Sequence, residues 1–153
     1  MHIPQRQVDF DRHLVETLAK NGPRYTSYPT ADRFHTGFNQ LHYQQALQQR
    51  NVGALNRPLS LYIHVPFCNT ICYYCGCNKI ITKVTSRADE YIDYLGRELD
   101  LIAPHLQGQH QLSQLHFGGG TPTFLNDEQL ARVFAHIKRH FEFSPRGEYS
   151  IEI

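Results

Sequence analysis

The apolar positions of this chain change period as it runs. Residues 9–20, DFDRHLVETLAK, set Phe10, Leu14 and Leu18 four apart. That spacing predicts a short amphipathic helix, opened by an aspartate and stopped at Asn21-Gly22-Pro23. GPRYTSYPTADRF follows, with two prolines among aromatics and hydroxyls, and reads as extended. Residues 40–50, QLHYQQALQQR, predict a polar-faced helix with Leu41, Tyr43 and Leu47 on its buried side. From Leu59 the period drops to two. Leu61, Ile63 and Val65 alternate with Ser60, Tyr62 and His64, a strand ending at Pro66. Ser86-Arg87-Ala88-Asp89 resembles a capping box. Behind it, Tyr91, Ile92, Leu95, Leu99 and Ile102 form a helical stripe that ends at Pro104. QLSQLHF (111–117) is a second strand, closed by Gly118-Gly119-Gly120. Asn126, with Gln129 three positions on, opens another helix whose inner face is Leu130, Val133, Phe134 and Ile137. EYSIEI (148–153) begins a third strand.

Strand, helix, strand, helix, strand predicts a parallel sheet with right-handed crossovers. Three parallel strands cannot close a barrel, and the chain stops inside the third, at Ile153. The expectation is therefore the N-terminal fragment of a longer protein, inactive alone, with an arm over residues 1–57 and the first βαβαβ portion of a larger core over 58–153. Composition narrows the class. Fifteen Lys+Arg stand against 14 Asp+Glu, a formal charge of +1. So even a balance argues against a nucleic-acid or membrane-surface binder. Hydrophobic residues at 41% suffice for a core. No apolar run reaches the ~18–20 residues of a membrane span, and the N-terminus lacks a secretory apolar segment. A soluble, cytoplasmic chain is expected.

All four cysteines, Cys68, Cys72, Cys75 and Cys77, fall in one ten-residue stretch. A disulfide scaffold spreads its cysteines to close loops of useful length. Thiols crowded together in a reducing compartment read as a metal or cluster site, with a redox dithiol as the lesser alternative. The spacing is C-x3-C-x2-C followed by C-x-C. Three thiolates on one short loop suit three corners of an iron–sulfur cubane, leaving one iron open for a chelating amine and carboxylate. Zinc is the competitor, completed by His64 or His116, although the two separated C-x2-C pairs of structural zinc are absent. Cys77, two residues past Cys75, is expected to be a packed or neighbouring thiol and not a ligand.

The turn Gly118-Gly119-Gly120-Thr121-Pro122-Thr123 has no Cβ at three positions, so a ligand can approach the backbone and its N–H groups can donate. It lacks the lysine and the spacing of a nucleotide-phosphate loop. Its weight comes from position, at the carboxyl edge of the strand next to the cysteine strand, where parallel α/β folds bind ligands. Glu152 is expected on the same edge.

C-x3-C-x2-C after an apolar strand, an aromatic before the third cysteine and a GGT turn one βα unit later resemble the radical S-adenosylmethionine enzymes. The fuller text, GPRYTSYPTA (22–31), LYIHVPFC (61–68), CYYCGCNK (72–79), QLHFGGGTPTFL (114–125) and SIEI (150–153), is similar to their oxygen-independent coproporphyrinogen oxidase branch. The resemblance implies an α/β fold, the N-terminal part of a partial (β/α)6 TIM-like barrel behind a helical and extended arm. It implies a [4Fe–4S] cluster on Cys68, Cys72 and Cys75. It implies two molecules of S-adenosylmethionine, the first contacted by Tyr62, Gly119 and Glu152 and the second by Tyr74, Gly120 and Thr121. Most members carry Phe at the position of Tyr74. The implied reaction is radical decarboxylation of coproporphyrinogen III to protoporphyrinogen IX in haem biosynthesis, with a flavodoxin- or ferredoxin-type electron donor, no catalytic general base, and a monomeric enzyme. Arg24 is expected to pair with a substrate propionate, with Tyr25 and Tyr28 ordering the arm. A haem chaperone or haem-degrading relative and a zinc-stabilised binding module are the alternatives.

Overall fold

The computed structural model describes residues 10–19, 30–50, 57–108 and 110–153. Arg24, Tyr25 and Tyr28, and with them nearly all of GPRYTSYPTA, lie outside the described residues. The chain divides into two compact units, Met1–Phe38 and Asn39–Ile153.

In the first unit, helix α1 (Arg12–Leu18) starts where its sequence predicts. The Asp11 carboxylate accepts the Leu14 N–H at 3.0 Å. Its stripe is not a buried face, since Phe10, Leu14 and Leu18 are all exposed. A single turn of 3-10 helix follows at Ala31–Arg33.

The second unit opens with α2 (Gln40–Gln49), capped by the Asn39 side chain. Of the three residues expected to be buried, only Leu47 packs against the core. Leu41 and Tyr43 are exposed, because so glutamine-rich a helix has little apolar surface to turn inward. Strand β1 (Leu59–Val65) then runs into two short strands, β2 (Phe67–Cys68) and β3 (Ile80–Ile81). Helix α3 (Arg87–Ile102), β4 (Gln111–Gly119), α4 (Asp127–His140) and β5 (Glu142–Ile151) complete the unit. The main sheet has the order β1-β4-β5 and is parallel throughout, as the alternation of elements predicts.

One face of this sheet is covered by α3 and α4. Ile63 and Val65 from β1 and Leu112, Leu115 and Phe117 from β4 meet Ile92, Leu95 and Leu99 of α3 and Val133 and Ile137 of α4. The step from Leu112 to Leu115 breaks strict alternation. A bulge absorbs it, for Leu59 pairs with Leu112 and Ser60 with Gln114, leaving Ser113 unpaired in the register. Strand β5 is longer than its sequence signal, because residues 144–147 loop out between Phe143 and Glu148 and the strand resumes. Tyr149 closes that loop, its hydroxyl donating to the Ser144 carbonyl at 2.6 Å.

The helix starts differ instructively. Asn126 and Gln129 form the predicted capping box, with reciprocal bonds of 2.9 and 3.1 Å. Ser86 does not cap α3, contrary to its S-x-x-D signature. Its backbone is already helical, and Asp89 is engaged elsewhere, accepting from Arg132 at 2.6 Å and from the buried Gln129 at 3.2 Å. The tie between α3 and α4 has taken the carboxylate that a capping box would use.

The other sheet face carries polar side chains: Ser60, Tyr62 and His64 on β1, Gln114 and His116 on β4, Glu148 and Ser150 on β5. Ser60 donates to Gln114 at 2.6 Å, and Gln114 donates on to Glu148 at 3.1 Å.

Candidate functional site

The carboxyl ends of β1, β4 and β5 lie side by side, so whatever follows each strand is delivered to one edge. After β1 comes the cysteine loop. After β4 comes Gly119-Gly120-Thr121, and after β5 comes Glu152. These segments line one hollow of about 570 Å³, which takes in Cys68, Cys72, Cys75 and Cys77 together with the glycine turn and Glu152. Tyr74 also lines it, its ring almost fully exposed. Tyr62 does not line it.

The loop is held at both ends by the β2–β3 pair, which the sequence pattern did not reveal because two-residue strands have no periodicity. Phe67 pairs with Ile80 and Cys68 with Ile81; the Ile80 N–H donates to the Pro66 carbonyl at 2.7 Å and that of Thr82 to Cys68 at 2.9 Å. Inside the loop the Cys75 N–H donates to the Cys72 carbonyl at 3.1 Å, a single tight turn between the two cysteines. His64 fastens the exit, one ring nitrogen 2.8 Å from the Asn78 carbonyl and the other 3.1 Å from the Tyr62 hydroxyl.

The N–H groups of the turn are engaged within the protein: Gly119 donates to Glu152 at 3.2 Å, Gly120 to the Val65 carbonyl at 2.8 Å and Thr121 to the Phe67 carbonyl at 2.8 Å. What the missing Cβ atoms permit is close approach. A Cβ on Gly120 would lie 2.8 Å from both Cys68 Sγ and the Phe67 carbonyl oxygen. A Cβ on Gly119, whose φ is +112°, would lie 2.9 Å from the His64 ring. The end of β4 is thereby pressed against the first cysteine, and the Thr121 hydroxyl donates to Cys68 Sγ at 3.6 Å.

All four cysteines are free thiols. Cys68 is buried and Cys75 partly so, while Cys72 and Cys77 are exposed. The packed environment expected for Cys77 is therefore absent, because the loop turns outward before reaching it. Its thiol pKa is raised by local desolvation and then by the adjacent Cys75, with which it hydrogen-bonds, and by Glu152. The Tyr62 hydroxyl is also raised, by desolvation and then by the charges of Glu152 and Cys77.

This donor set fits an iron–sulfur cluster better than one ion. Among the described residues no three His, Cys, Asp or Glu side chains converge as a mononuclear site requires. A cubane instead takes each thiolate on a different iron, so the sulfurs must ring a space. Gly76, with nothing within 4 Å of its absent Cβ, leaves that space clear beside Cys75. The histidines that a zinc site would recruit are engaged: His64 as above, and His116 with Ser150 at 2.7 Å and Glu152 at 3.4 Å.

No protein-family model matches the chain. Three curated relatives are each named oxygen-independent coproporphyrinogen III oxidase. The one from Escherichia coli is 46% identical over 148 residues, covering 97% of this chain and 31% of its own length. The one from Salmonella typhimurium is 44% identical over 151 residues, covering 99% of this chain and 32% of its own length. The one from Mannheimia haemolytica is 40% identical over 147 residues, covering 96% of this chain and 97% of its own length. The chain thus spans about a third of the first two and nearly all of the third. A solved structure, the E. coli coproporphyrinogen III oxidase described as a radical SAM enzyme, superposes with a TM-score of 0.79 at 42% identity, over 97% of this chain and 31% of that one. The cysteine loop, the glycine turn and the strand that ends before Glu152 all lie within these matched lengths, and the chain belongs to the oxygen-independent coproporphyrinogen III oxidase family of radical S-adenosylmethionine enzymes.

Proposed function

We propose that this chain carries the cluster- and nucleotide-binding part of an enzyme that converts coproporphyrinogen III to protoporphyrinogen IX without oxygen. In that reaction each of two propionate side chains loses a hydrogen atom, an electron and carbon dioxide to become a vinyl group. The observation that carries the reading is the meeting of the cysteine loop, the Gly119-Gly120-Thr121 turn and Glu152 around one hollow.

Cys68, Cys72 and Cys75 would hold a [4Fe–4S] cluster, with one iron open to S-adenosylmethionine. When bound, the cluster supplies the low-potential electron that splits the sulfonium and so starts hydrogen removal from substrate. The chain's own groups bind, orient and shield. Thr121 steadies the Cys68 sulfur by its hydroxyl hydrogen bond. Glu152, gripped by the Gly119 N–H, presents a carboxylate that accepts from hydroxyl or ammonium hydrogens of the first nucleotide, with Tyr62 nearby. Tyr74, whose aromatic face is exposed, would hold the second nucleotide together with Gly120 and Thr121. No side chain here is needed as a general base. The reading extends to a monomeric cytoplasmic enzyme, served by a flavodoxin- or ferredoxin-type reductant and binding neither nucleic acid nor membrane. No described helix is long and apolar enough to cross a bilayer. Residues 58–153 form the opening strands of its barrel and residues 1–57 an arm.

Single Cys68→Ala, Cys72→Ala and Cys75→Ala variants of the whole enzyme test this after anaerobic reconstitution. Each is expected to lose most of its iron and sulfide and to form neither 5′-deoxyadenosine nor vinyl product, while Cys77→Ala retains the cluster. Undiminished iron and adenosyl cleavage in the first three would overturn the assignment.

A further inference from the structure

The face of the sheet opposite the helices holds a residue that joins Tyr62 to Glu152. His116 lies on β4, directly across from Tyr62 on β1 and Ser150 on β5. Its ring stacks on Tyr62, with centroids 5.7 Å apart and planes 22° from parallel. One nitrogen, Nδ1, is 2.7 Å from the Ser150 hydroxyl, and the other, Nε2, is 3.4 Å from Glu152 Oε1. A carboxylate can only accept, so Nε2 carries the hydrogen that faces Glu152. In the neutral ring Nδ1 is then the acceptor for the Ser150 O–H. The result is a directed chain, Ser150 to His116 to Glu152. Glu152 Oε2 meanwhile takes the Gly119 N–H at 3.2 Å. Each carboxylate oxygen thus has one donor from the protein, which fixes the plane of the group and leaves its remaining lone pairs for the hollow. A flexible glutamate just past the end of β5 has no other side chain to hold it, among the described residues.

We infer that His116 is a positioning residue for nucleotide binding, setting the Glu152 carboxylate and the Tyr62 ring in register with each other across three strands. The assignment rests on Glu152 contacting S-adenosylmethionine with Tyr62 beside it, as proposed above. His116 touches neither the cysteine loop nor the reacting atoms and acts through these two neighbours.

Three variants of the whole enzyme separate the possibilities: His116→Phe, which keeps a ring against Tyr62 but has no donor; His116→Gln, whose amide can still donate to Glu152; and Glu152→Gln. Each is reconstituted anaerobically, and iron and sulfide per chain are measured with the dissociation constant for S-adenosylmethionine by equilibrium dialysis. His116→Phe is expected to keep its cluster and to weaken nucleotide binding about tenfold, the scale of one hydrogen bond to a charged group. His116→Gln recovers part of that loss. In the Glu152→Gln background, His116→Phe adds little, since the group it positions is no longer charged. Unchanged affinity in His116→Phe while Glu152→Gln binds weakly overturns the positioning role alone, as does an undiminished tenfold loss on top of Glu152→Gln. Unchanged affinity in Glu152→Gln itself removes the nucleotide contact and this inference with it. Loss of iron in both His116 variants marks a purely structural residue and overturns the inference as well.

Discussion

At the scale of single residues, the tightest constraint lies between Gly120 and Cys68. The atoms a new methyl would meet are the Sγ of the buried Cys68 and backbone atoms of Pro66 and Phe67, and the backbone cannot swing away. Gly120→Ala is therefore expected to push the end of β4 off the cysteine strand, at a cost of about 1–3 kcal/mol. Thermal unfolding and iron content measured together check it, for the displacement reaches both. Gly76→Ala, with no neighbouring atom for its methyl to strike, leaves thermal unfolding unchanged. The composition of the turn was legible in the sequence, but its role was not. Three consecutive glycines look the same whether their N–H groups face a ligand or a neighbouring strand. The parallel register decides it by aiming those of Gly120 and Thr121 at Val65 and Phe67. Glu152 could be located from sequence because strand ends collect on one edge. Its partner His116 could not, since a lone histidine in an alternating strand has many routine uses.

Among elements, α3 and α4 are joined by two polar ties on either side of their apolar contact. Arg132 reaches Asp89 at 2.6 Å and Asp93 at 2.8 Å, and near the other end Arg139 and His140 reach Asp100 at 3.0 and 2.6 Å. The hydrogen bond from His140, followed by the Arg139 charge, holds the Asp100 carboxyl below its ordinary value of 3.8. A carboxylate whose pKa is lower in the folded state binds fewer protons there than in the unfolded chain. Its contribution is complete above the ordinary value and is lost as pH falls through the lowered one. Asp100→Asn is thus expected to lower the urea midpoint at neutral pH, with the gap to wild type closing below about pH 4. Midpoints across pH 2–7 check it. The helices themselves were plain in the sequence, because a 3.6-residue stripe such as Ile92, Leu95 and Leu99 has no competing reading. Their starts were less so. The cap signature at Ser86 is a local rule, and the long-range pull of Arg132 and Gln129 on Asp89 overrode it.

Over the whole molecule, stability is graded from the middle of the sheet outward. β4 is hydrogen-bonded on both sides and carries Leu112, Leu115 and Phe117 into the core. Amide exchange is expected to be slowest there and fastest in α1, which buries none of its residues. Exchange that is uniform along the chain would contradict this ordering. The overall parallel arrangement followed from the alternation of periods along the sequence. The β2–β3 pair, too short to leave a pattern, is the feature that the sequence alone could not show, and it bears most on how the proposed cluster site would be filled. Residues 69–79 leave and rejoin the framework at these paired strands, so filling the proposed cluster site would involve the loop between Cys68 and Ile80 while the sheet behind it stays in place. The conformational entropy of bringing the two ends together is spent when the sheet folds, before any metal arrives. A cluster lost from such a socket would then be replaced without reopening the strand pair at its rim.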